Sequence, residues 1–338
     1  MTRNSYIFWS VTLLLIHLTK PVVNTQKYKY LFTVFTPTYN RRHTIHRVYE
    51  SLKAQTFRDF EWLIVDDGST DNTYELIEQW QQENLFSIRY VYQEHSHKHI
   101  ALNRGALEAR GELFVTLDSD DSCESIALER FKYHWELIPL EQRELFSGVT
   151  FLCKNPEGRI IGDLFPFNPT DSDSLEIRYR YKVIKGEKWG FHRTDVLVDF
   201  PCYEEIVGIH IPPGVLWRKI GKNYKTRFVN EALGVYYTDQ QSILRNSKHP
   251  RTKAIGAQIN NLDVLNGYIE WFRFAPLEFL RSAIHYSRFS FHLSNHPIQQ
   301  IQSVKTPIGK ILALVALPLG YLVYLKDNYQ HRAVLNRS

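Results

Sequence analysis

The sequence predicts an α/β fold: a mostly parallel sheet with helices on both faces, followed by a helical extension at the C-terminal end. Three observations carry this. Across residues 30–117, short stretches of β-branched and aromatic residues alternate with segments whose apolar residues recur at helical spacing. Three of the strand-like stretches run straight into polar clusters, at the strand ends where open parallel sheets hold their ligands. After Tyr237 the strand-like stretches cease and helical patterning takes over.

The elements follow in order. Residues 31–36 read as a strand ended by Pro37-Thr38-Tyr39-Asn40. Ile45, Val48, Tyr49 and Leu52 line one face of a helix over 45–54. Residues 60–65 form a second strand that runs into Asp66-Asp67-Gly68-Ser69-Thr70-Asp71, where Ser69, Thr70 or Asp71 can cap a helix holding Leu76, Ile77 and Trp80. A third strand at 88–92, a helix at 100–109 and a fourth strand at 114–117 complete the alternation. A further strand is expected at 149–152.

Composition narrows the function. With 43% apolar and 23% charged residues, the 338-residue chain can bury one large core and carry appendages. A net charge of +5 suits an anionic ligand or a membrane surface and is too diffuse to indicate nucleic acid. Cys123, Cys153 and Cys202 are odd in number and widely spaced, as in neither a disulfide framework nor a zinc site, so a reducing compartment is expected. There is no Gly-x-Gly-x-x-Gly and no Gly-Lys-Ser/Thr loop, which argues against a dinucleotide oxidoreductase or a P-loop nucleotidase.

The fourth strand ends in Asp118-Ser119-Asp120-Asp121. Carboxylates this close repel and need a cation or a proton. Asp118 and Asp120 suit a hard divalent ion, Mn²⁺ or Mg²⁺, completed by diphosphate oxygens; a solvated acidic turn is the plain alternative. Asp66 and Asp67 can accept hydrogen bonds from a base and ribose, Tyr39 can stack on a base, and Lys98 can face phosphates. His95, His97 and His99 read as a polar loop rather than metal ligands, because imidazole suits zinc better than magnesium.

Taken together, Thr36-Pro37-Thr38-Tyr39-Asn40, Gln55-Thr56-Phe57-Arg58-Asp59-Phe60-Glu61, Ile64-Val65-Asp66-Asp67-Gly68-Ser69-Thr70-Asp71, Ala101-Leu102-Asn103-Arg104-Gly105 and Leu117-Asp118-Ser119-Asp120-Asp121 resemble, in order and spacing, a family 2 glycosyltransferase of the GT-A fold, of the kind that assembles bacterial polysaccharides. The resemblance implies that Pro37, Tyr39 and Asp67 line a nucleotide pocket. It implies that Asp118 and Asp120 serve a nucleotide-sugar and its metal, and that transfer inverts the anomeric carbon in one displacement. Residues 186–193 are similar to a segment of polysaccharide-assembling members, in which Trp189 could stack on a sugar or fill the core. Such members carry Ile-Pro-Glu-Gly before a Trp, and this chain has Ile211-Pro212-Pro213-Gly214 before Trp217. Pro213 cannot take a proton, so Glu205, Glu204 or His210 is expected to supply the base. The same departure admits a second reading, a degenerate GT-A protein that binds nucleotide-sugar or a partner without turnover.

Three regions are expected: an apolar anchor and linker over 1–29, the glycosyltransferase domain over 30–245, and a helical, membrane-associating region over 246–338. The apolar run at 6–18 is short for a span and lacks small cleavage-site residues after it. A second run at 311–325, between Lys310 and Lys326, carries Pro318-Leu319-Gly320 as an expected break; it reads as a re-entrant or interfacial helix, or else as an amphipathic tail buried on the domain. The expected setting is the cytoplasmic face of a membrane, peripheral or monotopic, with a nucleotide-sugar donor and a glycan or lipid-linked acceptor.

Overall fold

The computed structural model describes residues 27–238 and 250–335. The N-terminal apolar run and the expected boundary near residue 245 lie outside the described residues. Strands β1 (Tyr30–Thr38), β2 (Phe60–Asp66), β3 (Ser87–Tyr92) and β4 (Gly111–Thr116) alternate with helices α1 (His46–Lys53), α2 (Thr73–Glu83) and α3 (Lys98–Glu108). Beyond them come β5 (Ser122–Cys123), α4 (Ala127–Glu136), β6 (Phe146–Lys154), β7 (Thr170–Ser172), α5 (Ser174–Tyr179), β8 (Lys188–Arg193), α6 (Thr194–Asp199), α7 (Gly214–Gly221) and β9 (Lys225–Val235). The nine strands among the described residues join one sheet in the order β3-β2-β1-β4-β8-β6-β9-β5, with β7 paired to β9.

The first four strands are parallel, as their crossover helices require. The second half is mixed: β8 pairs antiparallel with both β4 and β6, whereas β6 and β9 are parallel. Strand alternation splits the core into two layers. Phe32, Val34, Trp62, Ile64, Leu113 and Val115 face one layer, in which Tyr49 of α1 stacks on Trp80 of α2 with ring centroids 4.4 Å apart. Phe35, Leu63, Val65 and Phe114 face the other, against Ala101 and Leu102 of α3. Glu61 is wholly buried near the start of β2, held by Thr33 Oγ1 at 2.8 Å, the Arg110 N–H at 2.8 Å and Arg89 at 3.2 Å.

Register aligns the site. Thr38 of β1 lies opposite Asp66 of β2, and Phe35 opposite Thr116 of β4, so three polar strand ends share one edge of the sheet. Gly68 turns the chain there with φ +88°, and a Cβ at that position would lie 3.1 Å from the His95 backbone nitrogen.

The C-terminal region is helical: α8 (Ala254–Gly267), α9 (Pro276–His292), α10 (Pro297–Ser303) and α11 (Pro307–Leu335). Here the structure corrects the expected break, because α11 continues through Pro318 as one helix. Pro318 sits on the exposed side, where the missing N–H disturbs no packed face. On the opposite side Gly309, Ala313, Ala316 and Gly320 are buried, and at Gly320 a Cβ would lie 2.5 Å from that of Ser287 in α9. Arg288 and His292 of α9 hold Asp327 of α11 at 2.6 and 2.9 Å. Ile308, Ile311, Leu314, Val315, Leu319, Leu322 and Leu325 stay exposed. Residues 307–330 are long enough to cross a membrane by length and composition, and an 18-residue window within them has mean hydropathy 1.9.

Candidate active site

The end of β1 carries Tyr39 and Asn40. Asn40 adopts φ 54°, donates its N–H to Ser69 Oγ at 2.8 Å and accepts from the Thr70 N–H at 2.8 Å, which ties the first strand end to the second. Tyr39 stacks on His95 with centroids 4.3 Å apart. Asp66 accepts from the Ser69 N–H and from the Tyr90 hydroxyl, each at 2.8 Å. Burial and this carboxylate together push the Tyr90 phenol up. Asp67 accepts from the Ser96 N–H at 2.8 Å, the His97 N–H at 2.9 Å and Gln93 Nε2 at 2.6 Å, with His95 Nδ1 2.9 Å away. Both oxygens of Asp67 are therefore engaged in shaping the loop before α3.

That loop aims Lys98 across the edge. Its ammonium donates to both oxygens of Asp118, at 2.6 and 2.7 Å. Arg41 stands 3.7 Å from Asp120 Oδ2, Arg47 donates to the Asp120 carbonyl at 3.0 Å, and Asp121 accepts from the Tyr237 N–H at 3.1 Å. Burial, then the neighbouring carboxylates, raise the acids: Asp120 is shifted up and Asp121 is pushed up to about 8. One ligand oxygen from each of Asp118, Asp120 and Asp121 can be chosen so that all lie within 4.8 Å of one another, the one such metal-ligand cluster among the described residues. Hard oxygen donors carrying excess negative charge fit Mn²⁺ or Mg²⁺.

Lys98, Asp118 and Asp121 line a cleft of about 460 Å³ together with Glu187, Trp189, His192, His210 and Pro213. Trp189 donates Nε1–H to the Thr116 carbonyl at 2.7 Å and packs on Phe131 at 4.7 Å, so much of its indole serves the core. His192 stacks on Trp217, and burial pulls its pKa down to about 4. His99 is buried, with Nε2 2.7 Å from the Ile206 carbonyl, in line with a structural rather than a metal-binding histidine. Pro213 opens α7 at the cleft wall, where the polysaccharide-assembling pattern has its acid.

Glu204 and Glu205 are exposed and line a different cavity, with Lys219, Asp263 and Tyr268. The structure does not bring them to Asp118. His210 is the residue of that stretch that reaches the cleft, and burial, then His97 and Lys98, keep its imidazole below the usual histidine range. Sequence reasoning missed Arg41, Arg47 and Tyr237. A signal for the arginines existed in the Arg41-Arg42 pair directly after the first strand end, but none pointed to Tyr237.

The glycosyl transferase family 2 model matches residues 33–142. An uncharacterized glycosyltransferase of Mycoplasma pneumoniae, the MG025 homolog, is 34% identical over 226 residues, which cover 62% of this chain and 69% of that protein. The chain belongs to glycosyltransferase family 2. A more distant relative within this glycosyltransferase group is the GalNAc(5)-diNAcBac-PP-undecaprenol beta-1,3-glucosyltransferase of Campylobacter jejuni, 24% identical over 70% of this chain and 72% of the relative. Some curated glycosyltransferases are matched over only part of their length, 30% for one from Nostoc and 20% for one from Streptococcus pneumoniae. Among solved structures, S. aureus TarS (1-349) in complex with UDP-GlcNAc superposes with TM-score 0.54 at 21% identity, covering 85% of this glycosyltransferase and 79% of TarS. That likeness is one of fold: a mixed sheet flanked by helices, with a helical C-terminal stretch.

Proposed function

We propose that this glycosyltransferase is inverting and metal-dependent, and that it moves a sugar from a nucleotide-sugar to a lipid-linked or surface-glycan acceptor at a membrane. The observation that carries this is the Asp118, Asp120 and Asp121 cluster, of which Asp118 and Asp121 line the cleft with Lys98, on the sheet edge shared with Tyr39. Asp118 and Asp120 would hold Mn²⁺ or Mg²⁺, which when bound neutralises charge on the departing diphosphate. Pro37, Tyr39, Asp66 and Asp67 shape the wall for base and ribose, the two aspartates through the loop they fix. The acceptor hydroxyl attacks the anomeric carbon as the bond to diphosphate breaks, and its proton passes to a base in the cleft. His210, which lines the cleft, is the base this reading favours; Glu205 and Glu204 line the other cavity and would need a movement of their loop to reach it. The relative from Campylobacter, named for an undecaprenol-linked substrate, supports a lipid-linked acceptor.

The domain limits proposed are 30–245 for catalysis and 246–338 for membrane association. The exposed apolar side of α11 supports the second. Because its other side is sealed to α9 by small residues and the Asp327 ion pairs, the helix would lie in the membrane plane rather than cross it alone.

Pro213 favours a second reading, binding without turnover. Release of nucleoside diphosphate from a panel of UDP-, GDP- and dTDP-sugars with Mn²⁺ and candidate acceptors separates the two. Turnover with inverted product stereochemistry is expected. Donor binding without release across all acceptors would favour the second reading, and Pro213→Glu would then be the informative rescue.

A further inference from the structure

Lys98 is the first residue of α3, and its ammonium occupies both oxygens of Asp118. The preceding residue, His97, has φ 76° and an N–H bonded to Asp67, so the second strand end fixes the turn that aims the lysine. The other two acids have less mobile partners: the Arg41 guanidinium, 13% exposed, beside Asp120, and a backbone N–H on Asp121. Lys98 itself is 45% exposed, with a flexible stem.

A divalent ion held by all three acids of this cluster takes an oxygen of Asp118. An ammonium and a divalent ion on one carboxylate repel strongly at such range, so one of them leaves. The displaced ammonium then needs another anion, and the anion that arrives with the metal is the donor's diphosphate. We propose that Lys98 is a resident counter-cation: it neutralises Asp118 until metal and nucleotide displace it, then turns to the diphosphate, so that the two bind cooperatively. This rests on the metal-dependent reading above and adds the device that couples metal to donor.

The test is a Mn²⁺ titration of the full chain followed by electron paramagnetic resonance of free Mn²⁺, with and without UDP, GDP or dTDP, for wild type, Lys98→Met and Lys98→Arg. Without nucleotide, Lys98→Met is expected to bind Mn²⁺ about tenfold more tightly than wild type, within the range usual for linked sites. The gain in Mn²⁺ affinity that nucleotide brings is expected to be largest in wild type and Lys98→Arg and severalfold smaller in Lys98→Met, where only the bond between diphosphate and metal couples the two. If Lys98→Met does not fold, Lys98→Gln is read in the same way. Wild type that binds Mn²⁺, with a neutral variant that binds it no more tightly, overturns the counter-cation role alone. No Mn²⁺ binding by any of the proteins, with or without nucleotide, overturns the metal-dependent reading and this role together.

Discussion

His210 and Glu205 lie close in sequence and face different cavities. If His210 takes the acceptor proton, His210→Ala should slow transfer by about 10² to 10⁴ while donor affinity stays near wild type. Glu205→Gln should leave the rate within about twofold, well under a general-base contribution. The ordering of initial rates decides between them, and a larger loss in Glu205→Gln would move the base to the second cavity. The rate should also fall as pH drops through the pKa of His210, which lies below the ordinary 6.5. His192 offers a stability test. Its folded pKa of about 4 is below the unfolded value of 6.5, so between those limits the unfolded chain binds more protons and stability rises with pH. One such group contributes at most about 1.4 kcal/mol per pH unit. Thermal melts from pH 4.5 to 6.5 should show a shallower slope for His192→Phe than for wild type; equal slopes would mean that the ring is not buried neutral.

At the scale of elements, α9 and α11 are joined by a seam of small residues and one buried carboxylate. Asp327→Asn leaves Arg288 and His292 facing a neutral amide, and breaking such a buried pair costs about 3–5 kcal/mol. Hydrogen exchange should show lost protection in α9 and α11 with the sheet unchanged. Loss of protection throughout would mean that the helices and the sheet unfold as one unit. The strands and helices through β4 were legible in the sequence because each carries its own period, and the three polar strand ends were legible because parallel strands end together. The insertion of β8 between β4 and β6 was not, since pairing of Phe114 with His192 depends on residues far apart in the chain. The same holds for the reach of Lys98 to Asp118 and for the division of Glu205 from the cleft. Continuity of α11 through Pro318 was hidden because an isolated Pro-Leu-Gly reads as a breaker, whereas here the packed face is Gly320 and its small neighbours.

For the whole molecule, the exposed row from Ile308 to Leu325 lies on a helix sealed to the protein along its other side. In-plane docking on lipid is then expected, and flotation with anionic vesicles should carry the intact chain. Leu314→Glu with Leu322→Glu should reduce the floated fraction severalfold without changing the fold, because both residues face outward. Unchanged flotation would place the membrane contact elsewhere. Whether the acid cluster at the sheet edge binds a nucleotide-sugar through a divalent metal is tested more directly by isothermal titration. The intact chain is titrated with UDP-, GDP- and dTDP-sugars, in Mn²⁺ and again in EDTA, beside Asp120→Asn. Binding of at least one donor in Mn²⁺, lost both in EDTA and in Asp120→Asn, is the expected result. Binding of equal strength in EDTA, or in Asp120→Asn, would mean that the cluster does not hold the donor through a metal.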